Sequence, residues 1–179
     1  MSIHEEIKYW IGQGRLFQVF PRLPGSPVNR VLIANEDVNR LVTGPWMDPQ
    51  EEVRCGRLWA DFDRFIEGRL ISVSLTDPYS KPKTTYMARL DPLEDDVIEI
   101  RSRDPKPGMR VFGRFADKDL FVALNWEYRG NLGGPSDKEF DREREICKAR
   151  WRQLFPTYES IGGRDIDEYF ADTTHVFSV

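Results

Sequence analysis

Hydrophobic and polar residues alternate along two stretches in the middle of the chain, and a third stretch is almost wholly apolar. Residues 97–103 place isoleucines at alternate positions, and residues 109–115 alternate apolar side chains with arginines. Residues 120–126 are nearly all apolar, as expected for a strand covered on both faces. Segments 104–108 and 117–119 are rich in turn-forming residues. The pattern predicts a meander of three strands.

Two segments carry strong helix signals. One predicts a helix over 48–67, which begins at an aspartate N-cap followed by Pro49 and ends before Gly68. The other predicts a helix over 137–154 with Ser136 as its N-cap. Weaker patterns predict short helices at 3–11, 36–42 and 165–170 and strands at 15–20, 70–75, 86–90 and 174–179.

These elements predict an α+β fold. We expect a single domain over 1–179, with an antiparallel sheet of four to six strands packed by the two main helices. A chain of 179 residues is long enough to bury its own core. Within it we expect an N-terminal extension at 1–47, an α+β core at 48–154 and a C-terminal extension at 155–179.

Composition narrows the class of protein. The net charge of −4 gives no overall field that would attract nucleic acid, so any RNA contact needs a local basic patch. The chain has no apolar run of about 18 residues and no signal-peptide pattern, which predicts a cytoplasmic protein without membrane contact. Cys55 and Cys147 lie on predicted apolar helix faces, and we interpret them as reduced, buried thiols.

The meander gathers charged residues on one face, because strand side chains alternate with a period of two. Glu99, Arg101 and Arg103 come from its first strand, and Arg110 and Arg114 from its second. Several guanidinium groups on one face suit an RNA backbone or an anionic small molecule. In the alternative interpretation, Glu99 pairs with an arginine across the strands and the cluster is a solvated polar face.

Other chemistry has weaker support. The two histidines and two cysteines are scattered without zinc spacing, and the glycine-rich segment 130–134 has no phosphate-loop or dinucleotide pattern. We therefore expect neither a metal nor a cofactor. Trp126 and Tyr128, beside Arg129, are candidates for stacking on bases. Core packing is the alternative for the tryptophan.

Three short motifs follow one another in the meander: Glu99-Ile100-Arg101, then Gly108-Met109-Arg110-Val111-Phe112, then Phe121-Val122-Ala123-Leu124. With the flanking helices, residues 48–154 resemble the RelE/HigB-like branch of the RelE/ParE toxin superfamily. Those small proteins have one or two N-terminal helices, a twisted antiparallel sheet and often a last helix. Members of the RelE type cleave mRNA in the ribosomal A site without a metal.

The resemblance implies roles for individual residues. Arg101 and Arg110 would contact phosphate, Glu99 would act as a base or orienting partner, and Tyr128 would be the aromatic catalytic candidate. The residue pattern itself, rather than the resemblance, adds Arg103, Arg114 and Arg129 as candidates for further phosphate or RNA contacts. The implied partners are the ribosome or RNA, and an antitoxin-like protein.

The segment after the third strand departs from the family pattern. Residues 127–131 hold a single cation where the family has a Lys-Lys turn, and the chain as a whole is acidic. These departures keep a second hypothesis open. In it, the chain is a non-enzymatic protein-interaction module with a toxin-like fold, and the terminal extensions serve a protein partner.

Overall fold

The computed structural model describes residues 1–77, 79–134 and 137–179. Across these residues the chain is α+β, with five α-helices and one eight-stranded mixed sheet. The helices are α1 Ile3–Gly12, α2 Glu36–Thr43, α3 Pro49–Ile66, α4 Lys138–Leu154 and α5 Ile166–Tyr169. The strands are β1 Leu16–Val19, β2 Val31–Asn35, β3 Ile71–Ser74, β4 Met87–Arg89, β5 Ile98–Ser102, β6 Met109–Asp117, β7 Leu120–Tyr128 and β8 Val176–Ser178.

The strand order is β1-β2-β7-β6-β5-β4-β3-β8. β2 runs parallel to β7, and β3 runs parallel to both β4 and β8, whereas the other neighbours are antiparallel. The predicted antiparallel sheet of four to six strands is therefore wrong. The segments described above as extensions supply β1, β2 and β8, and alternation within a strand does not reveal which distant strand it pairs with.

Helices pack on both faces of the sheet, so the prediction of two packing helices is also wrong. On one face α2, α3 and α5 enclose a core that includes Phe62, Phe115 and Tyr169. On the other face α1 and α4 enclose a second core that includes Phe112 and Trp151. Burial on both faces accounts for the almost continuous apolar run of β7.

The pairing of β6 with β7 has two local features, a bulge in β7 and a close approach at Gly113 of β6. β7 carries an extra residue opposite β6, because Phe112 pairs with Asn125 while Gly113 pairs with Ala123. This bulge directs Leu124 and Asn125 to the same face, towards α4. At the same position, Gly113 has no Cβ, which lets the Val122 carbonyl and the Phe121 ring approach β6 closely.

Predictions were also made for the two cysteines and for the cap of the helix at 137–154. Both thiols, Cys55 and Cys147, are free and buried, and burial raises their pKa values to about 11 and about 12. The predicted cap at Ser136 lies outside the described residues. In the described ranges, no helix has both the length and the apolar character needed to cross a membrane.

Candidate functional site

Three of the five charged residues predicted from the meander, Glu99, Arg101 and Arg110, meet on the α4-facing side of β5 and β6. The register places Arg101 of β5 directly opposite Arg110 of β6. Like charges in opposite positions repel each other, so this pair needs a nearby negative charge. Glu99, two residues before Arg101 and on the same face, supplies it.

Glu99 lies between the two guanidinium groups. Its Oε1 atom is 3.5 Å from Nε of Arg101, and its Oε2 atom is 3.3 Å from Nε of Arg110. Glu99 and Arg110 are only 3% and 4% exposed. Neither contact has the direction of a hydrogen bond, and among the described residues Oε2 of Glu99 and Nε of Arg101 have no hydrogen-bond partner. The pairing is thus electrostatic and leaves hydrogen-bonding capacity unused.

Backbone carbonyls hold the far ends of both arginines. Nη1 of Arg110 donates to the carbonyl of Met109 at 2.9 Å, and Nη1 of Arg101 lies 3.4 Å from the carbonyl of Thr85. A carbonyl fixes the orientation of a guanidinium group without neutralising it. The two arginines therefore share one buried carboxylate while keeping fixed directions.

A cavity of about 60 Å³ lies next to this group. In the described part of the chain, its lining holds four cations and two carboxylates. Asp91 is the second carboxylate, and it is exposed and accepts a hydrogen bond from the Tyr79 hydroxyl at 2.8 Å. Since one water needs roughly 10–15 Å³, the space corresponds to about four to six waters. The lining residues are Lys81, Leu90, Asp91, Glu99, Arg101, Arg110, Arg129 and Phe140.

The electrostatics of this cavity, hereafter the Glu99 cavity, are those of a site with excess positive charge. Burial lowers the pKa of Arg110 to about 10; Glu99 opposes this shift, and the neighbouring arginines add to it. Burial likewise lowers the pKa values of Arg101 and Lys81. Buried charge of one sign is unfavourable, and a bound anion would relieve it. In the described ranges, no three His, Cys, Asp or Glu side chains come together as metal ligands.

The other predicted phosphate contacts divide between the cavity and its surroundings. Arg129 lines the cavity, with its guanidinium 5.6 Å from the Phe140 ring centre and Nη1 donating to the Gly133 carbonyl at 2.7 Å. Arg103 lies outside the cavity, in a small cleft beside Asp61 of α3. Arg103 is near enough to lower the pKa of Arg110 slightly through charge repulsion.

Two predicted residues lie apart from the cavity. Arg114 packs its guanidinium 5.4 Å from the Trp151 ring centre and donates to the Asp95 carbonyl at 2.7 Å. Tyr128 pairs with Met109 in the sheet and packs on the α3 side, where its ring is 5.2 Å from that of Trp126. Tyr128 and Glu99 are therefore on opposite faces of the sheet.

Sequence reasoning did not assign Lys81 to the site. It comes from the loop between β3 and β4, whose basic tip is visible in the sequence at 81–83. The strand pattern gave no reason to place that loop over β5. Phe140, in the first turn of α4, also lines the cavity.

Comparison with protein-family models, with curated proteins and with solved structures finds no match to this chain. Function is therefore inferred from the geometry and charge of the site.

Proposed function

We propose that the protein is directed to RNA and binds a phosphate group in the Glu99 cavity. The excess of positive charge in the cavity is the observation that carries this proposal, since three arginines face two carboxylates, one of them exposed. The cavity, of about 60 Å³, has room for several water molecules or a small group in their place. RNA is the source of phosphate that the resemblance to RelE/HigB-like toxins implies.

Phosphate suits this arrangement better than a metal or a neutral group. Guanidinium groups bind phosphate oxygens through paired N–H donors and keep their charge. Arg101 and Arg110 present their groups from neighbouring strands, and Lys81 and Arg129 complete the lining. Phosphate oxygens would thus receive charge-assisted hydrogen bonds from more than one direction.

RNA cleavage is the further step that the resemblance implies. In such a step, the Glu99 carboxylate would accept the proton of a 2′-hydroxyl as its oxygen bonds to phosphorus. The bond from phosphorus to the 5′-oxygen would break, and water would supply the proton that this leaving oxygen takes up. Arg101 and Arg110 would stabilise the charge of the phosphorane-like transition state. Tyr128 has no part in this proposal, because its side chain lies on the opposite face of the sheet.

Replacing Arg129 with methionine should weaken RNA binding, because one cation of the cavity is lost while the partly exposed position spares the core. We expect the dissociation constant to rise about tenfold near 50 mM salt, and the slope of log K against log salt to fall by about 1. Fluorescence anisotropy with a labelled single-stranded RNA measures both quantities.

The matched control for this experiment is Arg152→Met, which removes an exposed arginine from α4. Its affinity should decrease far less than that of Arg129→Met. Equal losses in the two variants would show that RNA contacts the surface without using the cavity. Wild-type protein that does not bind RNA at low salt would exclude RNA as the ligand.

A non-enzymatic interaction module is the second candidate function, and an edge strand followed by exposed apolar side chains favours it. β1 is an edge strand, and the segment that follows it exposes 58% of Phe20 and 71% of Leu23. An edge strand next to exposed apolar side chains is a common site of strand addition by a partner. Recovery of one stoichiometric protein without RNA would favour this function over the first.

A further inference from the structure

A cavity of about 550 Å³ lies beside the first residues of β2 and β7. Its lining comes from four segments, which are the residues before β2, the turn between β6 and β7, the residues that follow α3 and those that precede β8. Backbone hydrogen bonds connect three of these segments. The Arg30 amide donates to the Ile66 carbonyl at 3.0 Å, and the Val31 amide donates to the Asp119 carbonyl at 2.7 Å.

Arg30 presents a buried guanidinium group to this cavity. The residue is 3% exposed and lines the cavity. Its guanidinium carbon lies 5.7 Å from the ring centre of Phe65 and 5.2 Å from that of Phe170. Both rings belong to the core between the sheet and α3, and cation–π attraction to them fixes the position of the charge.

The Arg30 guanidinium has donors that the fold does not use. Nη1 donates to the Arg69 carbonyl at 3.3 Å, and Nε is 3.9 Å from Oδ1 of Asp119, which is too far for a hydrogen bond. In the described ranges neither Nε nor Nη2 makes a hydrogen bond, and neither is among the unpaired polar atoms that are closed off from solvent. A ligand in the cavity can therefore reach this edge of the guanidinium.

Two carboxylates lie close to the same cation. Burial lowers the pKa of Arg30, and the charges of Asp119 and Asp172 oppose that shift. Asp172 is exposed, and its Oδ1 atom accepts from the Thr174 amide at 2.9 Å and from the Thr174 hydroxyl at 2.7 Å. Its Oδ2 atom accepts no hydrogen bond from the described residues. The third carboxylate of the lining, Glu67, is paired with Arg69 at 2.5 Å.

This arrangement of charge selects a ligand that carries both signs. A simple anion would satisfy Arg30 but would lie near two carboxylates, and a simple cation would satisfy the carboxylates but would face a buried guanidinium. Both repulsions are avoided when a carboxylate and an ammonium group are joined at short range. Paired guanidinium N–H groups suit a carboxylate, and an ammonium group has only donors to offer.

We infer that this cavity binds a free α-amino acid as its zwitterion. The α-carboxylate would accept hydrogen bonds from Arg30, and the α-ammonium group would donate to Asp172. A volume of about 550 Å³ falls within the usual range for small-molecule sites, and the exposed Leu70 in the lining offers apolar surface to the ligand's side chain. The inference does not rest on the proposed function, because this cavity and the Glu99 cavity have no lining residue in common.

Calorimetric titration of the protein with each of the common L-α-amino acids in turn tests this inference. At least one should bind saturably at one site. Its amide lacks the carboxylate and its N-acetyl derivative lacks the ammonium group, so each should bind with a dissociation constant higher by a factor of about ten or more. Asp172→Asn should raise the dissociation constant of the amino acid by a similar factor, because the amide keeps the acceptor for Thr174 but loses the charge.

The matched control is Glu159→Gln, which removes an exposed carboxylate that does not line the cavity and should leave the affinity unchanged. The comparison of the amino acid with its two derivatives uses the unaltered chain, so it does not depend on the folding of a variant. No saturable binding of any amino acid would overturn the site. Equal affinity for the amide would overturn the role of Arg30. Equal affinity for the N-acetyl derivative, or equal losses in Asp172→Asn and Glu159→Gln, would overturn the role of Asp172.

Discussion

Replacing Arg110 with methionine is expected to lower the free energy of unfolding by about 3 kcal/mol, because it leaves the buried carboxylate of Glu99 with less compensating charge. Both side chains are almost fully buried, and their charged groups are 3.3 Å apart. Arg101 stays 3.5 Å from Glu99, which keeps the loss at the lower end of the range for broken buried pairs. Urea unfolding followed by circular dichroism measures the change.

A double variant separates the loss of the pair from a simple packing defect. Glu99→Gln combined with Arg110→Met should be more stable than Arg110→Met alone by about 1 kcal/mol or more, since the uncompensated carboxylate has been removed. Arg152→Met, on the exposed face of α4, should stay within about 0.5 kcal/mol of wild type. Additive losses in the double variant would contradict the coupling of Glu99 to Arg110.

Alanine at position 113 is expected to destabilise the protein by about 3 kcal/mol, because the added methyl group has no space. A Cβ atom there would clash with the carbonyl oxygen of Val122 and would lie 2.6 Å from Cζ of Phe121. The backbone of β7 and a buried ring would both have to move. Thermal or urea unfolding of Gly113→Ala measures the cost.

The same substitution at Gly56 should have the opposite sign. Gly56 lies inside α3, and a Cβ atom there would meet nothing within 4 Å. Alanine in a helix interior is favoured over glycine by about 1 kcal/mol, so Gly56→Ala should raise the free energy of unfolding. A Gly113→Ala variant as stable as wild type would contradict the close approach of β7 to Gly113.

The sequence predicted the elements that have local signals. Asp48 and Pro49 mark the start of α3, and the alternation at 98–102 and 109–115 marks β5 and β6. The short strand β2 was not predicted, because its five residues lie next to α2 and the pattern is too short to distinguish a strand from the beginning of a helix. Its parallel pairing with β7 is a long-range contact that no local pattern encodes.

Local patterns also predicted only a part of the candidate site. A period of two correctly places Glu99, Arg101 and Arg110 on one face. The alternation does not show that Arg114 lies too far along β6 to line the cavity. It also does not show which loop brings Lys81 over β5. Tyr128 was grouped with these residues through the family resemblance, whereas its register opposite Met109 directs it to the other face.

Calorimetric titration with inorganic phosphate, at constant ionic strength set with chloride, tests the central claim most directly. The wild-type chain should bind phosphate in the Glu99 cavity at one site. Glu99→Gln should bind phosphate more tightly, with a dissociation constant lower by a factor of about ten or more, because the buried negative charge that competes with the anion has been removed. The absence of saturable binding in both proteins, or weaker binding by Glu99→Gln, would contradict an anion site in this cavity.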